Sequence, residues 1–160
     1  MPEETTWAKP NTGDDFLIAM GAVVYWSGQV EGRLFWLVAA MLDSTYDGYL
    51  DPDERAIAAT SGLGFTPLAV LFLRLLNLRG KDSHLEIRET LKEAEAAMRE
   101  RNRLVHGEWW DDELPLGFTH RTWRAIKIVD AEVSELTELA TRLSEIVGRM
   151  ASARDEIFAR

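Results

Sequence analysis

The sequence predicts an all-α protein: a four-helix up-and-down bundle with a short extra helix, and with room for a small hairpin before the last helix. The prediction rests on four long apolar or amphipathic segments and on the capping residues that precede them. A chain of 160 residues with 46% hydrophobic content is enough for one core. We therefore expect residues 1–13 to be a flexible tail and residues 14–160 to form a single helical domain.

The composition limits where the protein acts and what it binds. Residues 1–13 are polar, contain two prolines and lack the apolar core of a signal peptide. No apolar run is long enough to span a bilayer, so we expect no membrane partner. The chain has no cysteine, which fits a reducing compartment and a cytoplasmic location. Its formal net charge of −9 argues against nucleic-acid binding unless the basic residues are concentrated on one surface.

The first helix is predicted to run from Asp14 or Asp15, as cap, to about Leu42. Apolar residues cover more than half of its circumference, which is typical of a helix in the middle of a bundle or of one shared between the core and a subunit interface. One predicted face includes Glu31 among apolar neighbours and consists of Met20, Val24, Ser27, Glu31, Leu34, Val38 and Leu42.

Proline start signals mark the next two helices. Asp51 as cap and Pro52 at the first helical position predict a short helix to about Thr60. Thr66-Pro67 repeats the signal, and the almost unbroken apolar run over residues 68–78 predicts a buried strut.

The third long helix is predicted from about Ser83 to Gly107, where glycine supplies a left-handed stop. Arg101 falls inside its apolar stripe, where an aliphatic residue is expected, and Asn102 and His106 are neighbours on the flanking face. A buried charge needs a partner. Glu31 is either the counterion of Arg101 or a residue at the edge of its own stripe. The stripe consists of Ile87, Leu91, Ala94, Met98 and Val105.

The segment before the last helix predicts a short strand near residues 121–128, paired with residues near 108–111. Asp130 is the predicted cap of the last helix, which extends to Ile157. Its apolar positions follow alternating steps of three and four, the clearest periodicity in the chain: Val133, Leu136, Ala140, Leu143, Val147 and Met150.

The order of Arg101, Asn102, His106 and Gly107 at the end of the third long helix resembles the signature of the HEPN superfamily of all-helical domains. The resemblance in helix order covers residues 14–157. It implies a homodimeric, metal-independent endoribonuclease of toxin-antitoxin or defence systems, with a composite cleft at the dimer interface and an antitoxin or other protein as partner. The expected products are a 2′,3′-cyclic phosphate and a 5′-hydroxyl.

The residues themselves suit that chemistry. His106 can exchange a proton near neutral pH, and Arg101 offers forked donors to a phosphate. Asn102 can orient His106 or hold a phosphate or ribose oxygen. One imidazole per chain is few for a reaction that needs an acid and a base, so a twofold dimer is favoured. Further candidates for substrate binding are Arg103 and the stacking side chains of Trp109 and Trp110, although tryptophans more often pack a core.

An alternative function is open. A non-catalytic helical dimer can keep Arg101 and Glu31 as a structural bridge and bind a protein, a nucleotide or another small ligand. The acidic net charge favours this alternative. The sequence has no glycine-rich phosphate loop and no zinc-type histidine pair, so it predicts neither a cofactor nor a metal.

Overall fold

A computed structural model describes residues 14–43, 46, 51–78, 85–105, 108–110, 117–122, 125–130 and 132–158, with the backbone alone in 108–110, 117–122 and 125–130. These residues form five helices and one small sheet, and the all-α prediction is confirmed for the body of the protein. None of the described helices has a stretch whose length and apolarity suit a bilayer crossing. The helices are α1 Asp14–Leu42, α2 Glu54–Thr60, α3 Phe65–Leu78, α4 Leu85–Val105 and α5 Val133–Phe158.

Helix α1 lies at the centre of the core and contacts each of the four other helices. The single predicted face of α1 is wrong in part, because Val24 and Leu42 are 46% and 38% exposed. The buried side of α1 instead follows Val23, Ser27, Val30 and Leu34. The largest side chains of the core come from four helices and include Leu34, Leu68, Phe72, Leu76, Ile87, Leu104, Leu136, Leu139, Leu143, Ile146 and Met150.

Helices α1 and α5 run in the same direction. Residues 15–26 of α1 and 133–144 of α5 border one surface groove. Residues 33–40 and 150–158 of the same two helices border another. Strict up-and-down alternation of the four longer helices makes the first and the last antiparallel, so the observed order differs from that expectation.

The short helix α2 begins later than predicted. Its cap is Asp53, whose carboxylate accepts a hydrogen bond from the Ala56 amide at 2.7 Å. The carboxylate of Asp43 accepts from the Asp53 amide at 3.1 Å, which ties the start of α2 to the end of α1. The predicted start, with Asp51 as cap and Pro52 as first helical residue, is therefore wrong by two residues, whereas the predicted end at Thr60 is confirmed.

Only one face of helix α3 is buried, so the prediction of a buried strut is wrong for its outer face. Phe65, Leu68, Phe72 and Leu76 are buried at steps of three and four. On the other side, Leu78 is 83% exposed. A continuous apolar run does not distinguish these two faces, because every position carries the same signal.

The predicted single strand over 121–128 is instead divided between two strands of an antiparallel sheet in the order β1-β2-β3. The strands are β1 Glu108–Trp110, β2 Gly117–Thr122 and β3 Ala125–Asp130, and β1 pairs with residues 117–119. Asp130 ends β3 and is not the cap of α5. Glu132 precedes α5, and its carboxylate accepts from the Ser134 hydroxyl at 3.0 Å. The predicted stripe of α5 is confirmed at Leu136, Ala140, Leu143, Val147, Met150 and Ile157.

Candidate functional site

The candidate site lies in the last turn of α4. Burial of Met98 and Leu104 holds this turn against the core, and Arg101 lies between them. The side chain of Arg101 is half-buried, that of Arg103 is half-buried, and Asn102 is exposed. The apolar stripe of α4 therefore carries Arg101 to the contact with α1, as its position in the sequence pattern predicts.

Ser27 of α1 receives the Arg101 side chain. Arg101 Nε donates a hydrogen bond to Ser27 Oγ at 3.2 Å. Ser27 is fully buried, and its hydroxyl donates to the carbonyl oxygen of Val24 at 2.9 Å. Because that donation fixes the hydroxyl hydrogen, a lone pair of Ser27 Oγ is directed to the guanidinium. The contact joins two helices whose contacting residues are 74 positions apart in the chain.

Asn102 supplies the second contact of the guanidinium. Arg101 Nη1 donates to Asn102 Oδ1 at 2.7 Å. Both partners of Arg101 are thus neutral, and no carboxylate oxygen of a described residue lies within 4.0 Å of the guanidinium. The positive charge of Arg101 is held in place without being neutralised by a carboxylate in that part of the chain.

The predicted ion pair between Glu31 and Arg101 is not made. Glu31 is half-buried and lies one turn beyond Ser27, at the edge of the buried face of α1. The Arg101 side chain meets α1 at Ser27 instead, because Ser27 stands on the buried face between Val23 and Val30. The interpretation of Glu31 as an edge residue is the one that the burial pattern favours.

The other predicted site residues are described in part or not at all. His106 lies outside the described residues, as does Gly107. The backbones of Trp109 and Trp110 belong to β1, where they pair with Phe118 and Gly117 of β2. The structure therefore brings together Arg101, Asn102 and Ser27, and the placement of His106 beside them stays a prediction.

Ser27 is the functional candidate that the sequence did not single out. Its signal was a lone hydroxyl on the buried side of a long helix, between two valines. Serine in a helix interior often bonds only to its own backbone, so the pattern alone does not reveal a partner on another helix.

The chemical capacity of this site is anion binding. Arg101 has five N–H donors, of which the described contacts use two, so three are left for the oxygens of a phosphate or carboxylate. The negative end of the α4 dipole stabilises a cation at this place. No three carboxylates or imidazoles of the described residues are close enough to ligate one metal ion.

Comparisons with family models, with curated proteins and with solved structures find no match to this chain.

Proposed function

We propose that the protein is a homodimeric, metal-independent endoribonuclease of the HEPN type, acting in a toxin-antitoxin or defence system. The observation that carries the proposal is the fixed guanidinium of Arg101, held by Ser27 and Asn102 at 3.2 Å and 2.7 Å. The chain has 27 acidic residues and 18 basic ones, yet the Arg101 guanidinium meets no carboxylate among the described residues. Such a cation is available to a phosphate.

The proposed reaction is an internal transfer at phosphorus. A base removes the proton of the ribose 2′-hydroxyl, and the oxygen attacks the adjacent phosphorus. The bond from phosphorus to the 5′-oxygen breaks, and that oxygen takes a proton from an acid, which leaves a 2′,3′-cyclic phosphate and a 5′-hydroxyl. Arg101 stabilises the charge that develops on the phosphate oxygens. His106 transfers the proton. General acid-base catalysis of this kind typically raises the reaction rate by about 10²–10⁴-fold.

The proposed dimer supplies the second proton-transfer group. Each chain brings one His106, and a twofold axis that sets two α4 ends face to face brings both to one phosphate. Trp109, Trp110 and Arg103 are the proposed substrate-binding residues, because rings stack on unpaired bases and a guanidinium binds the backbone. Glu31 was predicted to support the site as the counterion of Arg101, and since that ion pair is not made, it has no role in this proposal.

A second candidate function is a non-catalytic helical dimer that binds a protein, a nucleotide or another small ligand. The full burial of Ser27 favours it, because a buried hydroxyl bonded to a guanidinium also serves as a link between two helices. The net charge of −9 favours it as well.

The test is cleavage of a mixed-sequence RNA in EDTA by the wild type, by His106→Ala and by His84→Ala. We expect the wild type and His84→Ala to release 2′,3′-cyclic phosphate ends and His106→Ala to lose about 10²-fold or more in rate. His84 is a matched histidine control, since it directly precedes α4 in the chain and His106 directly follows it. A wild type without cleavage contradicts the nuclease and leaves the non-catalytic dimer. Equal cleavage rates in all three proteins contradict the proposed site, because His106 would then not take part.

A further inference from the structure

A second cationic region lies away from Arg101, between the second halves of α1 and α5. It is a cavity of about 330 Å³, open to solvent and within the size range of small-molecule sites. Its walls combine positive charge and aromatic rings. The residues that carry the argument are Arg33, Trp36, Tyr46, Asp51, Arg154 and Phe158.

Two arginines from different helices line this cavity. Arg33 of α1 is exposed and makes no hydrogen bond or ion pair with any residue that the structure describes. Arg154 of α5 is half-buried, and its Nη2 donates to the Tyr46 hydroxyl at 3.4 Å. Asp51 also lines the cavity but forms no ion pair with Arg33. Among the lining residues that the structure describes, two carry a guanidinium group and one carries a carboxylate. In a chain of net charge −9, this excess of positive charge favours an anion.

Aromatic and aliphatic side chains form the rest of the surface. The rings of Tyr46 and Phe158 meet edge to face with centroids 5.0 Å apart. Trp36 is 42% exposed where it borders the cavity. Below the rings, the buried side chains of Ala40 and Met150 belong to the core, so this floor is rigid and apolar. Such a surface favours a flat ring, which buries apolar area without losing rotamer freedom.

We infer that this cavity binds a small aromatic anion, a planar ring that carries a phosphate or a carboxylate. Arg33 and Arg154 hold the anionic group, and Trp36, Tyr46 and Phe158 receive the ring. The inference stands apart from the proposed nuclease activity, because none of these residues belongs to the Arg101 contact.

Isothermal titration of the full chain tests the ligand class with two anions and their neutral counterparts. The probes are AMP against adenosine, for the phosphate, and 2-naphthoate against 2-naphthamide, for the carboxylate. We expect at least one anion to bind one per chain, about tenfold or more tightly than its neutral counterpart. Which anion binds identifies the acidic group. Binding of neither with a dissociation constant below about 1 mM, or equal binding of anion and neutral counterpart, overturns the inference.

Two variants locate the binding. Arg33→Gln removes one cation and should weaken the anion about tenfold, whereas the exposed Arg74→Gln on α3 removes the same charge outside the cavity and should leave binding unchanged. Ala151 of α5 also lines the cavity, so Ala151→Trp fills it and should abolish binding of every probe. Thermal melting of each variant verifies its fold. Unchanged binding in Arg33→Gln, or an equal loss in Arg74→Gln, contradicts this location.

Discussion

Helix α4 contacts α5 and α1 through arginines in opposite ways. Towards α5, Glu93 accepts a hydrogen bond from Arg149 and Glu100 accepts one from Arg142. These are ion pairs on exposed or half-exposed side chains. Towards α1, α4 presents Arg101, whose described partners are a hydroxyl and an amide. The contact surface of α4 with α5, the α5 seam, therefore pairs charge with charge, whereas its contact surface with α1, the α1 seam, holds the Arg101 charge with neutral groups.

The difference lies in what each guanidinium contacts: a carboxylate towards α5, and two neutral groups at Arg101. An exposed ion pair neutralises both groups and contributes little to stability, typically about 0–1 kcal/mol. A guanidinium that is held by neutral groups keeps its full field. The seam with α5 is therefore expected to affect stability alone, and the contact of Arg101 with Ser27 is expected to affect chemistry.

The largest expected effect separates the two seams by activity. Arg101→Lys keeps the charge but loses the Nε donor to Ser27 and the forked geometry, so RNA cleavage should fall by about 10²-fold. Arg149→Lys on the other seam should change the rate by less than about twofold, because this side chain meets only Glu93 among the contacts described. Initial rates of cyclic-phosphate formation measure both. Equal losses of cleavage rate in Arg101→Lys and Arg149→Lys would contradict the expected difference between the two arginines.

A smaller effect is expected from the residue that positions Arg101. Ser27→Ala removes the buried acceptor, which should destabilise the fold by about 1 kcal/mol and slow cleavage about tenfold. Thr90→Val is the matched control, because the buried Thr90 hydroxyl bonds only to the Glu86 carbonyl of its own helix at 2.9 Å. Urea unfolding should show a loss in both variants, and the cleavage rate a loss in Ser27→Ala alone. If Thr90→Val also cleaves RNA more slowly, the loss of rate in Ser27→Ala would be explained by reduced stability alone.

Much of the helical framework was predictable because its signals are local. The bounds of α1 follow from Asp14 and from the end of the apolar stretch at Leu42. The stripe of α5 follows from its three- and four-residue steps. Cap choice was harder, since Asp51 and Asp53 both suit a helix start, and only the packing of Asp43 on the Asp53 amide decides between them.

The partner of Arg101 was not predictable, because it depends on how two helices meet. An ideal helix wheel placed Val24 and Leu42 on one face with Ser27 and Glu31, whereas the buried face is centred nearer Val23 and Val30. A rotation of α1 about its axis by part of one turn makes the Ser27 hydroxyl, and not the Glu31 carboxylate, the acceptor that Arg101 meets. That exchange changes Arg101 from a neutralised structural group into a candidate for anion binding.

The smallest expected effect is a pH dependence confined to the seam with α5. The hydrogen bond from Arg149 holds the pKa of the Glu93 carboxyl below its ordinary value of 4.5, against an opposing effect of burial. A carboxyl with a lowered pKa in the folded state contributes stability that is present above pH 4.5 and is lost as the pH falls through the lowered pKa. Since the Glu93 side chain is 56% exposed, solvent screening limits the contribution to about 0.5 kcal/mol.

Urea unfolding of the wild type and of Glu93→Gln at pH 7 and pH 3 measures this contribution. The wild type should be the more stable at pH 7, and the difference should be smaller at pH 3, because it is lost as the pH falls through the lowered pKa of Glu93. Arg149→Gln should remove the same difference, and the double variant should add nothing further. Ser27→Ala should lower stability equally at both pH values, because a serine hydroxyl does not titrate there. A pH-independent loss in Glu93→Gln would mean that Glu93 acts through packing and not through charge, and the contrast between the two seams would then rest on Arg101 alone.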